Sequence, residues 1–156
     1  MTADLAHAAD EFERSTNALL EAARQVTPDL LDRHPEGGWS ARQILHHVAD
    51  SETHSYLRLR RLLAEPAGSL IQGFDEGAWA QTEALGYRDG DPAHSLAVFI
   101  AVRAASLDVL RRLCPDDLER HGTHSATGRY TLEQWIDIYT RHPREHADQL
   151  REATRA

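Results

Sequence analysis

Three histidines are spaced for metal chemistry: His47, and the pair that opens and closes the run His142-Pro143-Arg144-Glu145-His146. On a helix, side chains four residues apart share one face, so two imidazoles at this spacing can hold one metal ion. His47 completes a three-nitrogen set only if its own helix packs beside the one carrying the pair. Three protein ligands leave coordination positions open to water or substrate, the arrangement of a catalytic metal rather than a structural one. Zinc, nickel, iron and manganese all suit three imidazoles plus water. One divalent transition metal is the expected cofactor, and a small molecule the expected substrate.

Other residues could assist. Asp50 follows His47 by three and could orient an imidazole or accept a proton; it could equally be a solvated helix charge. His54, seven after His47, falls on nearly the same face and reads as a fourth ligand, a proton carrier or a partly exposed helix histidine. Arg103 lies between Ile100 and Leu107 on the stripe of its helix that is expected to face inward. A buried arginine needs an anion, either a structural carboxylate or one on a substrate. Arg58, Arg60 and Arg61 read as a solvated face. Pro143 lacks the N–H that a helix interior uses, so a kink or break is expected near Tyr139 to His142, which would tilt the two imidazoles or aim them. There is no nucleophilic-serine elbow, phosphate-cradling glycine loop or dinucleotide fingerprint.

The elements that must position these residues are helices. The first is expected over about Asp4 to Gln25, striped by Leu5, Ala8, Phe12, Leu19, Ala23 and Val26. Pro35-Glu36-Gly37-Gly38 breaks the chain, and Ser40-Ala41-Arg42-Gln43 is a capping box that starts a second helix running to Glu65-Pro66. His47 lies at the edge of its apolar stripe, with His46 turned about 100° away. Residues 66 to 90 form a long connection anchored by Phe74, Trp79 and Tyr87, with a helical turn near Asp75 to Trp79, and read as a packed lid. Asp91-Pro92 starts a third helix that runs to about Cys114. One of its stripes is Leu96, Ile100, Leu107 and Leu110; another is Val98, Val102, Ala105 and Val109, so it needs two partners, and a second subunit could be one. Residues 121 to 129 read as a polar loop. Thr131-Leu132-Glu133-Gln134 is a second capping box, starting a helix whose stripe is Trp135, Tyr139, His142, His146 and Leu150. No segment alternates like a strand. The expected fold is all-α: one domain over residues 1–156, an up-down four-helix bundle with a long connection between its second and third helices.

Composition sets limits. The chain has 156 residues, is 41% hydrophobic and carries a net charge of -8, which argues against nucleic acid as the main partner. All cations are arginine and none is lysine. Cys114 is the only cysteine, so an internal disulfide and a zinc–thiolate cluster are both excluded, and a reducing cytoplasm is the expected compartment. It reads as a small core residue on the third helix. Met1-Thr2-Ala3-Asp4 has no secretion signal, and the longest apolar run, Leu96 to Val102, is too short to cross a bilayer, so no membrane partner is expected.

Together these motifs resemble a known family. Trp39-Ser40-Ala41-Arg42-Gln43-Ile44-Leu45-His46-His47-Val48-Ala49-Asp50-Ser51 is similar to the first metal-ligand motif of the DinB/YfiT superfamily, with a tryptophan at a helix start and a ligand histidine eight residues on. His142 and His146 match its second motif; Gly128 to Leu132 and Phe74 to Ala80 resemble further segments. Pro143 inside the second motif and the additional His54 depart from the family pattern. The resemblance implies a four-helix bundle, often dimeric, with a divalent metal on His47, His142 and His146. It also implies either transfer of a low-molecular-weight thiol such as bacillithiol or mycothiol onto an electrophile, or hydrolysis by metal-activated water. A non-catalytic stress-induced binding module is the remaining alternative.

Overall fold

The structure, a computed structural model, describes residues 3–155. Four long helices dominate it: α1 (Ala3–Arg24), α2 (Ala41–Ala64), α4 (Ala93–Leu110) and α5 (Leu132–Arg155), with a short α3 (Glu76–Gln81) in the second connection. Both capping boxes form as the spacing requires. Gln43 N donates to Ser40 Oγ at 3.2 Å and Ser40 N to Gln43 Oε1 at 2.8 Å. Gln134 N donates to Thr131 Oγ1 at 3.1 Å and Thr131 N to Gln134 Oε1 at 2.9 Å. Each box satisfies amides that the first helical turn would leave without partners.

Around the bundle, α5 lies between α1 and α2, and α4 closes the ring between α2 and α1. The main helix contacts are therefore not those between the sequence neighbours α1 and α2, or α4 and α5. The long connections make this possible, and they pack on one another. β1 (Leu70–Ile71) pairs parallel to β2 (His121–His124), which pairs antiparallel to β3 (Gly128–Thr131). This small sheet corrects the expected polar loop at 121–129. The segment is too short and polar to show alternation, and its strands are fixed by partners in another connection. Gly122 is needed there: a Cβ would sit 2.5 Å from Ile71 Cγ1 and 2.7 Å from the Ser69 carbonyl.

Two apolar clusters fill the interior. One gathers Leu5, Phe12, Leu59, Leu62, Ile71, Leu110 and Trp135; the other gathers Leu19, Ile44, Leu45, Val48, Phe99, Ala147 and Leu150. Between them in sequence on α1, α2 and α4 lies a buried polar position, Ser15, Glu52 and Arg103, which on α5 meets Tyr139 at the edge of the first cluster. Arg103 organises this layer. Nε donates to Thr16 Oγ1 at 2.8 Å; Nη1 donates to Glu52 Oε1 at 3.2 Å and the Tyr139 carbonyl at 2.6 Å; Nη2 donates to the Phe12 carbonyl at 2.7 Å and Ser15 Oγ at 2.8 Å. All five guanidinium N–H donors are thus used.

Three expectations change. The helix carrying Pro143 is continuous across it. The carbonyl that Pro143 cannot serve, four residues back at Tyr139, receives Arg103 instead. The inner stripe of α4 is Phe99, Arg103, Ser106, Leu107 and Leu110, while Ile100 and Val98 face outward at 45% and 43% exposure. With apolar residues nearly all round, periodicity could not choose the inner face; the polar layer did. Finally, α4 ends at Leu110, and Cys114 is exposed at the start of a 3-10 turn rather than buried on a helix. By length and hydropathy alone α4 is one described helix that could reach across a bilayer; here it forms a wall of the bundle.

Candidate metal centre

The packing of α2 against α5 brings His47, His142 and His146 together: one nitrogen of each ring lies within 4.8 Å of one nitrogen of the others. The ring centroids are 4.3 Å apart for His142 and His146, 4.7 Å for His47 and His146, and 5.4 Å for His47 and His142. His142 Nε2 and His146 Nε2 approach to 2.9 Å. His146 Nδ1 is 2.8 Å from Gln149 Oε1, an oxygen that can only accept. The proton of the neutral ring is therefore on Nδ1, and Nε2 presents its lone pair toward the other rings.

The electrostatics keep all three rings neutral. Burial holds His47 down to about 3, with His146 adding repulsion. Burial holds His142 down to about 2, helped by His146, His47 and Arg103. Burial lowers His146 as well, against the pull of Gln149. Glu76 Oε2 stands 3.6 Å from His47 Nε2, too far for a hydrogen bond, and with His47 neutral this is not an ion pair. The donor set fits a transition metal: three neutral imidazoles each bring one ring nitrogen to a common point. It does not fit magnesium or calcium, which need a cage of oxygens.

The three rings open into a cavity of about 540 Å³. Trp39 packs edge-on against His47 at 4.9 Å, so the eight-residue spacing places an aromatic wall beside that ring. Glu36, Glu76 and Glu152 line the cavity and make it acidic. The α1–α2 connection, Pro35 to Trp39, forms one wall, and Glu76 reaches in from the second connection. That connection is held to α2 by aromatic stacking: Phe74 lies flat on His54 at 4.2 Å and 4°, with Trp79 5.0 Å from Phe74.

The remaining candidates sit elsewhere. Asp50 Oδ2 accepts a 2.7 Å hydrogen bond from the Tyr87 hydroxyl and makes no hydrogen bond to any of the three rings. His54 is occupied by Phe74 and is not among the three converging rings. Arg103, 1% exposed, spends its donors on protein atoms, with Glu52 as its carboxylate. His46 is buried on the other side of α2, 2.8 Å from Ser95 Oγ. Two residues at the centre escaped sequence reasoning. Gln149 carried a usable signal, since a side chain three residues after His146 can reach it on a helix. Glu76 carried none, because it reaches His47 through the folding-back of the lid.

Residues 11–150 match the DinB superfamily. The chain is 32% identical over 139 residues to a Bacillus subtilis (strain 168) protein named "Putative metal-dependent hydrolase YfiT", covering 88% of this chain and 76% of that one. It is 34% identical over 139 residues, 88% and 78% of the two chains, to "Putative metal-dependent hydrolase OB0782" of Oceanobacillus iheyensis. Among solved structures, that of Bacillus subtilis YfiT, described as a probable metal-dependent hydrolase with an unusual four-helix bundle topology, superposes with a TM-score of 0.87 at 28% identity, covering 99% of this chain and 89% of that one. TT2238, a four-helix bundle protein, shares the fold at a TM-score of 0.63 and 22% identity, over 94% and 98% of the two chains.

Proposed function

Because this chain belongs to the DinB superfamily, we propose that it is a metal-dependent enzyme whose centre is His47, His142 and His146, and that it transfers a low-molecular-weight thiol onto an electrophile. The convergence of three neutral imidazoles from two helices carries this reading. A divalent transition metal held there would lower the pKa of a thiol or water bound at its open positions and so supply the nucleophile.

The chain's own groups divide the remaining work. Gln149 fixes the His146 tautomer. Trp39 and Phe74 wall the rings from bulk water. Glu76, exposed and beside His47, accepts the proton, a role that its position supports better than those of Asp50 or His54. The thiol proton passes to Glu76, the sulfur bonds the electrophilic carbon, and the leaving group departs with its bonding pair. Bacillithiol and mycothiol are the thiols to try first. A second cavity that shares His142 and Glu76 with the first gives room for two substrates, which favours transfer.

Hydrolysis is the second reading, favoured by the names of the relatives. Water then takes the place of the thiol and an amide or ester that of the electrophile. Turnover with and without added thiol separates the two: thiol-independent hydrolysis overturns transfer. A chain that takes up no zinc, nickel, iron or manganese overturns both and leaves the non-catalytic binding module. A homodimer is part of the proposal, with a second copy covering Val98 and Ile100 on α4.

A further inference from the structure

One side of α2 repeats polar residues at helical spacing: His47, Ser51, His54 and Arg58. The last of these lies about three turns beyond the first, and it is not the solvated charge that its neighbours suggest. Arg58 is half-buried. Nη1 donates to the Tyr139 hydroxyl at 2.7 Å and Nη2 to the Gln72 carbonyl at 2.9 Å, both neutral oxygens. Among the described residues, every other arginine that is not exposed pairs with a carboxylate or lies over a ring face: Arg42 has Asp32, Arg103 has Glu52, Arg144 has Glu11, and Arg60 lies over the Tyr56 ring. A guanidinium partly withdrawn from water without a counter-ion is costly, and the cost is recovered when an anion arrives.

Arg58 lines a second cavity of about 510 Å³, well within the range that holds a small molecule. Its walls include His142 and Glu76, which also line the first cavity, and His124 and Ser125 from the β2–β3 hairpin. Two carboxylates line it, and neither pairs with Arg58. Asp75 Oδ1 caps α3 by accepting from Ala78 N at 2.9 Å, and Glu76 approaches His47. Lid and hairpin are fastened together at Gly73, whose N–H donates to Ser125 Oγ at 2.9 Å. A Cβ at Gly73 would lie 3.1 Å from Ser125 Oγ and 3.2 Å from His124 Cε1, so glycine permits this closure. The positive field of Arg58 reaches His54 and His124, reinforcing the lowering that burial imposes on each.

We propose that this second cavity seats the carboxylate of a carboxylate-bearing substrate, with Arg58 as its counter-charge and His142 marking the end at which that substrate reacts. The planar fork of a guanidinium matches a carboxylate. The inference rests on the histidine centre being the reaction centre.

The test is a titration of the full-length protein with succinate, followed by amide NMR shifts at Gly73, Ser125 and Ala126. Its neutral analogue succinamide and inorganic phosphate are run in parallel, and metal content is measured on each sample. Saturable shifts with succinate are expected, with succinamide and phosphate weaker. Arg58→Gln should weaken succinate by about tenfold or more while keeping the metal. His47→Ala should lose the metal and still show saturable succinate shifts, and loss of those shifts together with the metal would place succinate on the metal and overturn the assignment to Arg58. Absence of saturable shifts, unchanged affinity in Arg58→Gln, or tighter binding of succinamide or phosphate overturns the proposal. If Arg58→Gln does not fold, the succinate–succinamide comparison in the unaltered protein decides. A protein that binds succinate but no metal overturns the metal reading and keeps the carboxylate seat; one that binds metal but not succinate does the reverse.

Discussion

Arg103 donates from Nη1 to the Tyr139 carbonyl at 2.6 Å, and that carbonyl is the one Pro143 leaves without an amide partner. The proline that threatened to break the helix between its histidines is therefore accommodated by an arginine from α4. The same guanidinium ties down α1 through Phe12 and Ser15 and α2 through Glu52. The geometry of the His142–His146 pair thus depends on a buried polar layer one turn away.

This coupling predicts a non-additive pair. Arg103→Met should destabilise the fold by about 3–5 kcal/mol, because it leaves Glu52 buried without its partner. Adding Pro143→Ala should recover about 1 kcal/mol, since the new amide can serve the Tyr139 carbonyl. Urea unfolding of the two single variants and the double variant reads the coupling; strictly additive effects would show that Arg103 does not compensate for the proline.

Elemental analysis of untagged protein should give about one transition metal per chain. His47→Ala, His142→Ala and His146→Ala should each abolish stoichiometric binding. Gln149→Ala should retain the site but weaken it by roughly 10- to 100-fold, because the His146 ring loses the acceptor that fixes its tautomer. Full stoichiometry and affinity in all three histidine variants would refute the ligand assignment.

Acid should destabilise the metal-free protein early. Folding lowers His47 to about 3 and His142 to about 2, so below about pH 6.5 the unfolded chain takes up protons that the folded chain does not. Stability from these groups is fully present above pH 6.5 and declines progressively as pH falls toward 3. Between pH 6.5 and 5 most carboxylates have not begun to titrate, so denaturant midpoints in this window isolate the histidines. His47→Phe should flatten the slope; an unchanged slope would count against neutral burial of this ring.

Once a thiol and electrophile are found, Glu76→Gln should lower kcat by about 10²-fold or more while metal content stays unchanged. A loss confined to KM would make Glu76 a binding residue rather than a proton acceptor.

Much of this protein was legible in sequence because it is local. Helix starts follow from Ser40–Gln43 and Thr131–Gln134, whose bonds span three residues, and the helix faces follow from repeats three and four apart. The pairing of His142 with His146 is local in the same sense. Where local pattern was ambiguous, it misled: α4 is apolar nearly all round, so Ile100 was placed inward and Cys114 on the helix, although a polar layer sets the inner face and the helix stops at Leu110. Only the tertiary structure decided which helix lies beside α5, and hence that His47 meets the pair. It also decided that Pro143 has Arg103, that Glu76 returns to His47, that Arg58 is half-buried, and that residues 70–71, 121–124 and 128–131 form a sheet. Each of these joins segments distant in the chain, and such contacts are chosen by the collective packing of side chains rather than by any short-range rule.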